Sequence, residues 1–340
     1  MNPYVYLYDV AYPTNFPNRW VWKKDNMYGI YDSSSATFML PMEYGYIGET
    51  RHDNLLLVHK NGLCGIYNIA AGTWYISMEF NQIASTDSPS LWHVKKDKLC
   101  GIYNSDVGTF PVPLKYDIIC HTKSIDLWIV SERKGPLHYS YGVFNCADAS
   151  WLVPQIYSFM AETEFPNIWI VKKAGLYGVY NSDTATFPVP IEYDILEEIS
   201  SPDIWRVKKI KTGGGYGVYN SSKNIFVVPM EFNRVYPCPN FPNLWMVRIQ
   251  VCGNNLYGLY DSEKSTYVLP CIFNDIIYNR ENIYDAKISR KKFELDVGIH
   301  QWINSLDVIS YCKKNREDFL FYAYLYSDKP EGSIEYTHLM

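Results

Sequence analysis

Two stretches of this chain, CGIYNSDVGTFPVPLKYDII at residues 100–119 and YGVYNSDTATFPVPIEYDIL at 177–196, are near copies 77 positions apart. Self-similarity on that scale restricts the fold to arrays of small units, each burying an apolar face against its neighbours. The anchor is a Gly preceded by Tyr or Cys. It occurs at Gly29, Gly65, Gly101, Gly142, Gly178, Gly217 and Gly258, with spacings of 36, 36, 41, 36, 39 and 41. Twelve residues on stands Pro41, Ser77, Pro113, Pro154, Pro190, Pro229 or Pro270, and fifteen on an aromatic ring, as in Tyr44, Phe80 and Tyr116. Eighteen on, the residue is always apolar: Ile47, Ile83, Ile119, Met160, Leu196, Val235 or Ile276.

A second signature precedes each Gly, as in NRWVWKK, SLWHVKK, NIWIVKK and DIWRVKK. Its ring is Trp20, Trp92, Trp128, Trp169, Trp205 or Trp245, with Leu56 in the second copy. The distance from this residue to the Gly varies from 9 to 14, which places the length variation in one hairpin loop. The Trp-x-Val-Lys segment alternates with period two, the mark of a strand. The YGVYN segment is apolar throughout, as in a strand covered on both faces. Asn or Asp ends it and starts a turn. Pro in the third segment removes a ladder donor and predicts an edge strand. Each unit therefore reads as three short strands, and the Gly predicts close approach of a ring or a backbone.

Tyr-Gly-Val-Tyr-Asn followed by Val-Pro-x-x-Tyr-Asp-x-Ile resembles the WG-repeat proteins, tandem β repeats named for a Trp-Gly pair. The resemblance covers roughly residues 20–276 and implies a repetitive scaffold without agreed catalytic residues.

The two ends bear on whether the array closes. Residues 282–301, NIYDAKISRKKFELDVGIHQ, repeat the first two strands in worn form, with Tyr284, Lys287 and Gly298 in the Trp, Lys and Gly slots. Ser310 and Lys313 stand where Pro and Tyr of a third segment belong. That segment is matched instead by NPYVYLYDV at 2–10, where Pro3, Tyr8 and Asp9 align with Pro111, Tyr116 and Asp117. A strand shared between termini removes exposed edges, whereas a linear solenoid needs polar caps. The expected architecture is an all-β, propeller-like ring of about eight units over 1–300, seven full and one composite at Gly298. An open β solenoid is the alternative. Residues 301–340 predict a short helical appendage: Trp302, Ile303, Leu306 and Ile309 have helical spacing, and Asn315 caps a segment ended by Pro330.

Composition supplies the core and narrows the partners. Hydrophobic residues make up 47% and aromatics 16%, with 31 Tyr and 10 Trp, so burial is ample. A formal charge of −5 argues against nucleic acid as the main partner. Eight Cys, irregular and without a CxxC pair, read as thiols of a reducing compartment such as the cytoplasm. The start shows neither a basic n-region nor an apolar h-region, and no apolar run reaches a membrane span.

Two repeated features are candidate binding surfaces. The basic residues after the Trp strand, represented by Lys24, Lys60, Lys96, Lys173, Lys209 and Arg248, would form a cationic rim able to hold a polyanion or an acidic partner. Against this, Lys at a strand end also discourages edge pairing. The Phe-Pro-Asn loops at Phe16, Phe165 and Phe241 could stack on sugar faces as in a lectin, or serve as turns. Catalytic patterns are fragmentary. Lys211-Thr212-Gly213 and Ser131-x-x-Lys134 lack the third element of a β-lactamase. The glycines at 213–215 lack a following Lys-Ser/Thr. Seven His make no HxxxH pair, so neither a metal nor a cofactor is expected. Asp117 and Asp194 would act as paired acids of a hydrolase only in a shared pocket; as repeat equivalents they are expected to bond turns. The sequence thus points to a non-catalytic scaffold for a protein partner, with a glycan-binding protein and a channel hydrolase as alternatives.

Overall fold

The computed structural model describes residues 9–296 apart from 137, 200, 212, 252, 281–282 and 289–290. Every regular element among them is a β-strand. The shared strand at residues 2–8, Gly298 and the helical appendage at 301–340 lie outside the described residues.

Each repeat folds as an antiparallel meander of four strands, not three. In the second sheet these are Tyr46–Glu49, Leu55–Lys60, Leu63–Asn68 and Thr73–Phe80. We call them the opening, tryptophan, glycine and long strands. The order recurs through seven sheets, from Val10–Pro13 in the first to Thr266–Phe273 in the seventh. An eighth sheet has three described strands, Asp275–Arg280, Ile283–Ile288 and Lys291–Asp296.

The count differs because the third segment of the sequence repeat is divided between two sheets. A hinge residue ends the long strand, and its N–H donates to a tryptophan-strand carbonyl of the next sheet. Asn81 donates to Lys95 at 2.7 Å, and Asp117 and Asp194 donate to Ser131 and Lys208 at 2.9 Å. The hinge side chain then accepts a backbone N–H at the end of that strand or in the turn after it, from Asp97, Arg133 or Ile210 at 2.7–2.9 Å. The apolar residue eighteen after the Gly therefore opens the following sheet, where Ile47, Ile83, Ile119, Leu196 and Val235 are buried. Asp9 makes the same two bonds. Its N–H donates to Lys23 O at 2.9 Å, and its carboxylate accepts Asp25 N–H at 2.9 Å.

The anchor glycine answers to a bulge in the long strand. Tyr28 pairs with Tyr44 and Ile30 with Leu40, so residues 41–43 lie opposite Gly29 alone. All seven copies share this two-residue excess. A Cβ at Gly178 would fall 2.9 Å from the backbone N and Cα of Ile191, and one at Gly258 2.6 Å from Leu269 O. The close neighbour is thus bulged backbone in every copy, joined by a ring only at Gly65 (Trp74) and Gly142 (Trp151). The Pro at position twelve falls in the bulge of an edge strand, where no ladder donor is needed.

Local turn chemistry agrees with the register. Asp25-Asn26, Asn61-Gly62, Asp97-Lys98 and Ala174-Gly175 have positive φ at both positions, as a two-residue hairpin with right-handed twist requires. The Asn or Asp after the glycine strand accepts turn N–H groups, as Asn181 does from Asp183 and Thr184.

The core lies between successive sheets. Chain compactness divides the protein into two units, Met1–Met160 and Ala161–Met340. In the first, Val94 and Trp92 of the third sheet pack on Ile66, Ile76 and Phe80 of the second. In the second, Trp205 and Val207 pack on Val179, Val189 and Tyr193. Burying rings and branched side chains on both faces of a sheet supplies the hydrophobic stabilisation of the array. Trp92, Trp128, Trp169, Trp205 and Trp245 are buried as the repeat predicts, but Trp20 is 36% exposed. Its equivalent Trp92 is covered by His52 and Tyr75 of the preceding sheet, with ring centroids at 5.4 and 6.4 Å. No described sheet precedes Trp20.

Candidate functional site

The expected cationic rim is largely a set of ion pairs between sheets. Lys60, Lys96 and Lys209 lie 2.8, 3.1 and 2.9 Å from Glu43, Glu79 and Glu192, each an acid on the bulge of the preceding sheet. The same ammonium groups stand 5.1–5.8 Å from the centroids of Tyr44, Phe80 and Tyr193, the ring after that acid. A bulge re-aims a side chain, and here it turns the acid toward the neighbouring strand end. One interface reverses the charges. Lys115 takes the acidic slot and Glu132 the basic one, 3.6 Å apart. Hydrogen bonding from Lys134, more than the neighbouring charges, holds the Glu132 carboxyl below its ordinary range. Lys24 and Lys173 are exposed and have no ion pair among the described residues, while Arg248 lies half-buried in the strand Phe241–Val251. The six cations thus do not form one uncompensated surface.

The loop aromatics are also held inward. Phe16 and Phe165 are half-buried, and their carbonyls accept backbone N–H from Arg19 and Ile168. Phe241 is no loop tip: it begins the strand Phe241–Val251. Asn18 and Asn167 adopt φ of 62°, the left-handed geometry Asn tolerates. The feature that organises this turn was not singled out in the sequence. A Thr six residues before the Trp accepts one N–H and donates to carbonyls two and five residues on, as Thr122 does to Ser124 and Leu127. Thr14, Thr86 and Thr163 repeat it, and T-x-F/S ahead of Trp20, Trp92, Trp128 and Trp169 was its signal.

Other expected sites dissolve into structure. Asp117 and Asp194 are hinge acceptors, each carboxylate taken up by a backbone N–H of its own following sheet. Cys64, Cys100, Cys120, Cys146, Cys238 and Cys271 carry thiols, and Cys64 Sγ donates to the hinge carbonyl of Asn81 at 3.1 Å. Among the described residues no three His, Cys, Asp or Glu side chains are placed to hold a metal ion. No helix among them is long and apolar enough to cross a membrane.

A cavity of about 600 Å³ at the Thr-turn end of the first compact unit departs from the repeat. Its wall includes Ala84 and His93 of the third sheet, Ile119, Cys120, His121 and Trp128 of the fourth, and Arg51, Asp87 and Lys123 from the turns. His93 follows Trp92, in a slot filled elsewhere by Val21, Leu57, Ile129, Ile170, Arg206 and Met246, and it faces Ala84 across the sheet. Burial, with Lys95 adding, keeps its imidazole below the ordinary pKa and hence neutral near pH 7. Among the described residues the buried His93 Nε2 has no hydrogen-bond partner. His121 Nδ1 stands 2.9 Å from Thr122 O and donates to that carbonyl. Arg51 and Asp87 approach to 3.6 Å with most of both side chains exposed.

The geometry defines an all-β protein of tandem four-stranded antiparallel sheets with a polar cavity between repeats. No protein-family model and no curated protein matches the sequence. Among solved structures it is similar to a eukaryotic initiation factor at 10% identity, a TM-score of 0.38 and 85% of each chain covered. It is similar to Hsv2p of Kluyveromyces lactis at 9% and 0.30, covering 76% of this chain and 95% of that one. The AfRom2 CNH domain gives 10% and 0.27, covering 74% and 93%. Similarity this distant assigns neither family nor activity.

Proposed function

We propose that the chain is a non-catalytic scaffold that recognises a protein partner through the Thr-turn ends of its sheets. We further place it with the WG-repeat proteins, as a propeller-like ring of eight sheets completed by residues 2–8, working in a reducing compartment. The residues common to the copies are occupied in holding sheets together: Lys with Glu, the hinge acids with backbone, Thr within its turn. What differs between copies is the residue after that Thr, and this observation carries the reading. Asn15, Arg51, Asp87, Lys123 and Glu164 are all exposed at one structural position and differ in charge. A position that keeps its geometry while varying its chemistry suits recognition on a rigid frame. Half-burial of Phe16 and Phe165 weighs against sugar stacking, and the Lys–Glu pairs weigh against a polyanion.

The test is capture of partners from the native cell with the intact chain and with a triple variant R51S/D87S/K123S, followed by direct binding of each purified partner. The expected result is a protein that binds the intact chain and is lost from the variant at unchanged thermal stability. Glycan-array binding without any direct protein partner would overturn the proposal in favour of a lectin.

A further inference from the structure

Arg234 and Arg248 stand directly opposite each other in the seventh sheet, so their side chains leave the same face of the ladder. Like charges so placed cost stability. A third cation joins them from the sixth sheet. Arg234 Nη1 donates to Tyr216 Oη at 2.7 Å, and its guanidinium carbon lies 4.7 Å from the centroid of that buried ring. Lys208, the cross-strand partner of Tyr216, sets its ammonium 4.8 Å from the same centroid. All three cations are half-buried, and none has an ion pair among the described residues. The other copies show what is missing. In the place of Arg234 the earlier sheets have Tyr46, Gln82, Ile118, Phe159 or Ile195, none of which brings charge. In the eighth sheet the residue is Asp275, directly opposite Lys287 and 3.8 Å from it. One ladder position thus holds an ion pair in the eighth sheet and two arginines in the seventh. The acids next in register are already engaged. Asp194, beside the partner of Lys208, accepts the Ile210 and Lys211 N–H groups. Glu231, beside the partner of Tyr216, accepts Tyr267 Oη at 3.5 Å.

We infer that Lys208, Arg234 and Arg248 form a site for one phosphate group, free or carried as a monoester. A phosphoryl group brings nearly two negative charges and three acceptor oxygens, enough to engage cations arriving from two sheets. A carboxylate brings one charge and two oxygens in a plane, and leaves the like charges of Arg234 and Arg248 incompletely offset. Guanidinium forks match phosphate geometry, and an ammonium serves as a point charge beside them. Lys208 ends the strand Ile204–Lys208 and Arg248 lies toward the hairpin of Phe241–Val251, so the site belongs to the hairpin ends of its sheets. It is separate from the variable position after the Thr and goes beyond the protein-scaffold reading.

The probes are inorganic phosphate and the capped peptide acetyl-Gly-phosphoserine-Gly-amide, titrated calorimetrically into the full-length chain at constant ionic strength. At least one is expected to bind. A tighter peptide identifies a phosphorylated side chain as the source, and tighter inorganic phosphate a free phosphate compound. The peptide with Glu in place of phosphoserine binds at least about tenfold more weakly than the better probe. Arg248→Gln weakens that probe about tenfold, the size of one lost charge-assisted hydrogen bond. Without phosphate the same variant keeps or raises the thermal midpoint, because it removes a like charge from the ladder. Lys208→Gln gives the same loss of affinity and serves if the Arg248 variant fails to fold. Absence of binding by both probes, equal affinity for the Glu peptide, or affinity unchanged in both variants overturns the inference. The two readings fail separately: partner capture is read on R51S/D87S/K123S, and phosphate binding is read on residues that this triple variant leaves in place.

Discussion

At the residue scale, the glycine is the position with least freedom. Three long-strand residues face Gly178 alone, and Ile191 N and Cα stand where a Cβ would be 2.9 Å away. Ile191 lies in a bulge held at both ends by the pairs Tyr177–Tyr193 and Val179–Val189, so its backbone yields little. Gly178→Ala is accordingly expected to destabilise by about 1–3 kcal/mol, the scale of overpacking. Gly175 makes a useful control because a Cβ there meets nothing within 4 Å, although its φ of 85° adds strain of its own. Equilibrium denaturation of the two variants checks this. Equal losses at both sites would mean that turn strain, and not the bulge, governs the glycine.

At the element scale, the unit of assembly is one sheet handing its last segment to the next. The Lys115–Glu132 interface makes this testable because it is wired in reverse. Lys115→Glu alone places two acids across the junction. The double exchange Lys115→Glu with Glu132→Lys recreates the arrangement of Lys96 and Glu79. The double variant is expected to recover most of the loss of the single one, with a coupling of about 0.2–1 kcal/mol as for exposed pairs. A coupling indistinguishable from zero in a double-mutant cycle would show that bulge acids have no part in joining sheets. This element also sets how much the sequence revealed. Fixed offsets located the Trp, Gly and long strands, the edge character of the Pro strand and the turn Asn residues. They could not show that Asp117 is a hinge, because a segment continuous in sequence gives no sign that its two halves pair with different partners. Charge complementarity between Glu79 and Lys96 was equally hidden: the residues lie 17 positions apart on different sheets, and a row of Lys reads as a rim until its partners are seen. The cavity was invisible for another reason. His93 is one substitution in one copy, and only the register opposite Ala84 makes room of it.

At the scale of the whole molecule, the proposed ring depends on the chain ends. Asp9 makes both bonds of a hinge residue, the position that in the other copies follows a long strand. The eighth sheet has three described strands, and Lys291–Asp296 stands at its edge, where a long strand would pair. Trp20 is 36% exposed where its equivalents are buried. The ring proposed above would join these two ends, and truncation tests it. Removing residues 1–8 should then expose a sheet edge and lower the thermal midpoint by at least about 5 °C, with association of the opened chain. A synthetic peptide of residues 1–9 added to the truncated protein should restore the midpoint, which an unspecific effect of truncation would not allow. Asp9→Ala, which keeps the strand and removes only the hinge carboxylate, should have a smaller effect of the same sign. Truncated protein that stays monomeric with an unchanged midpoint would mean that the eight sheets form an open array.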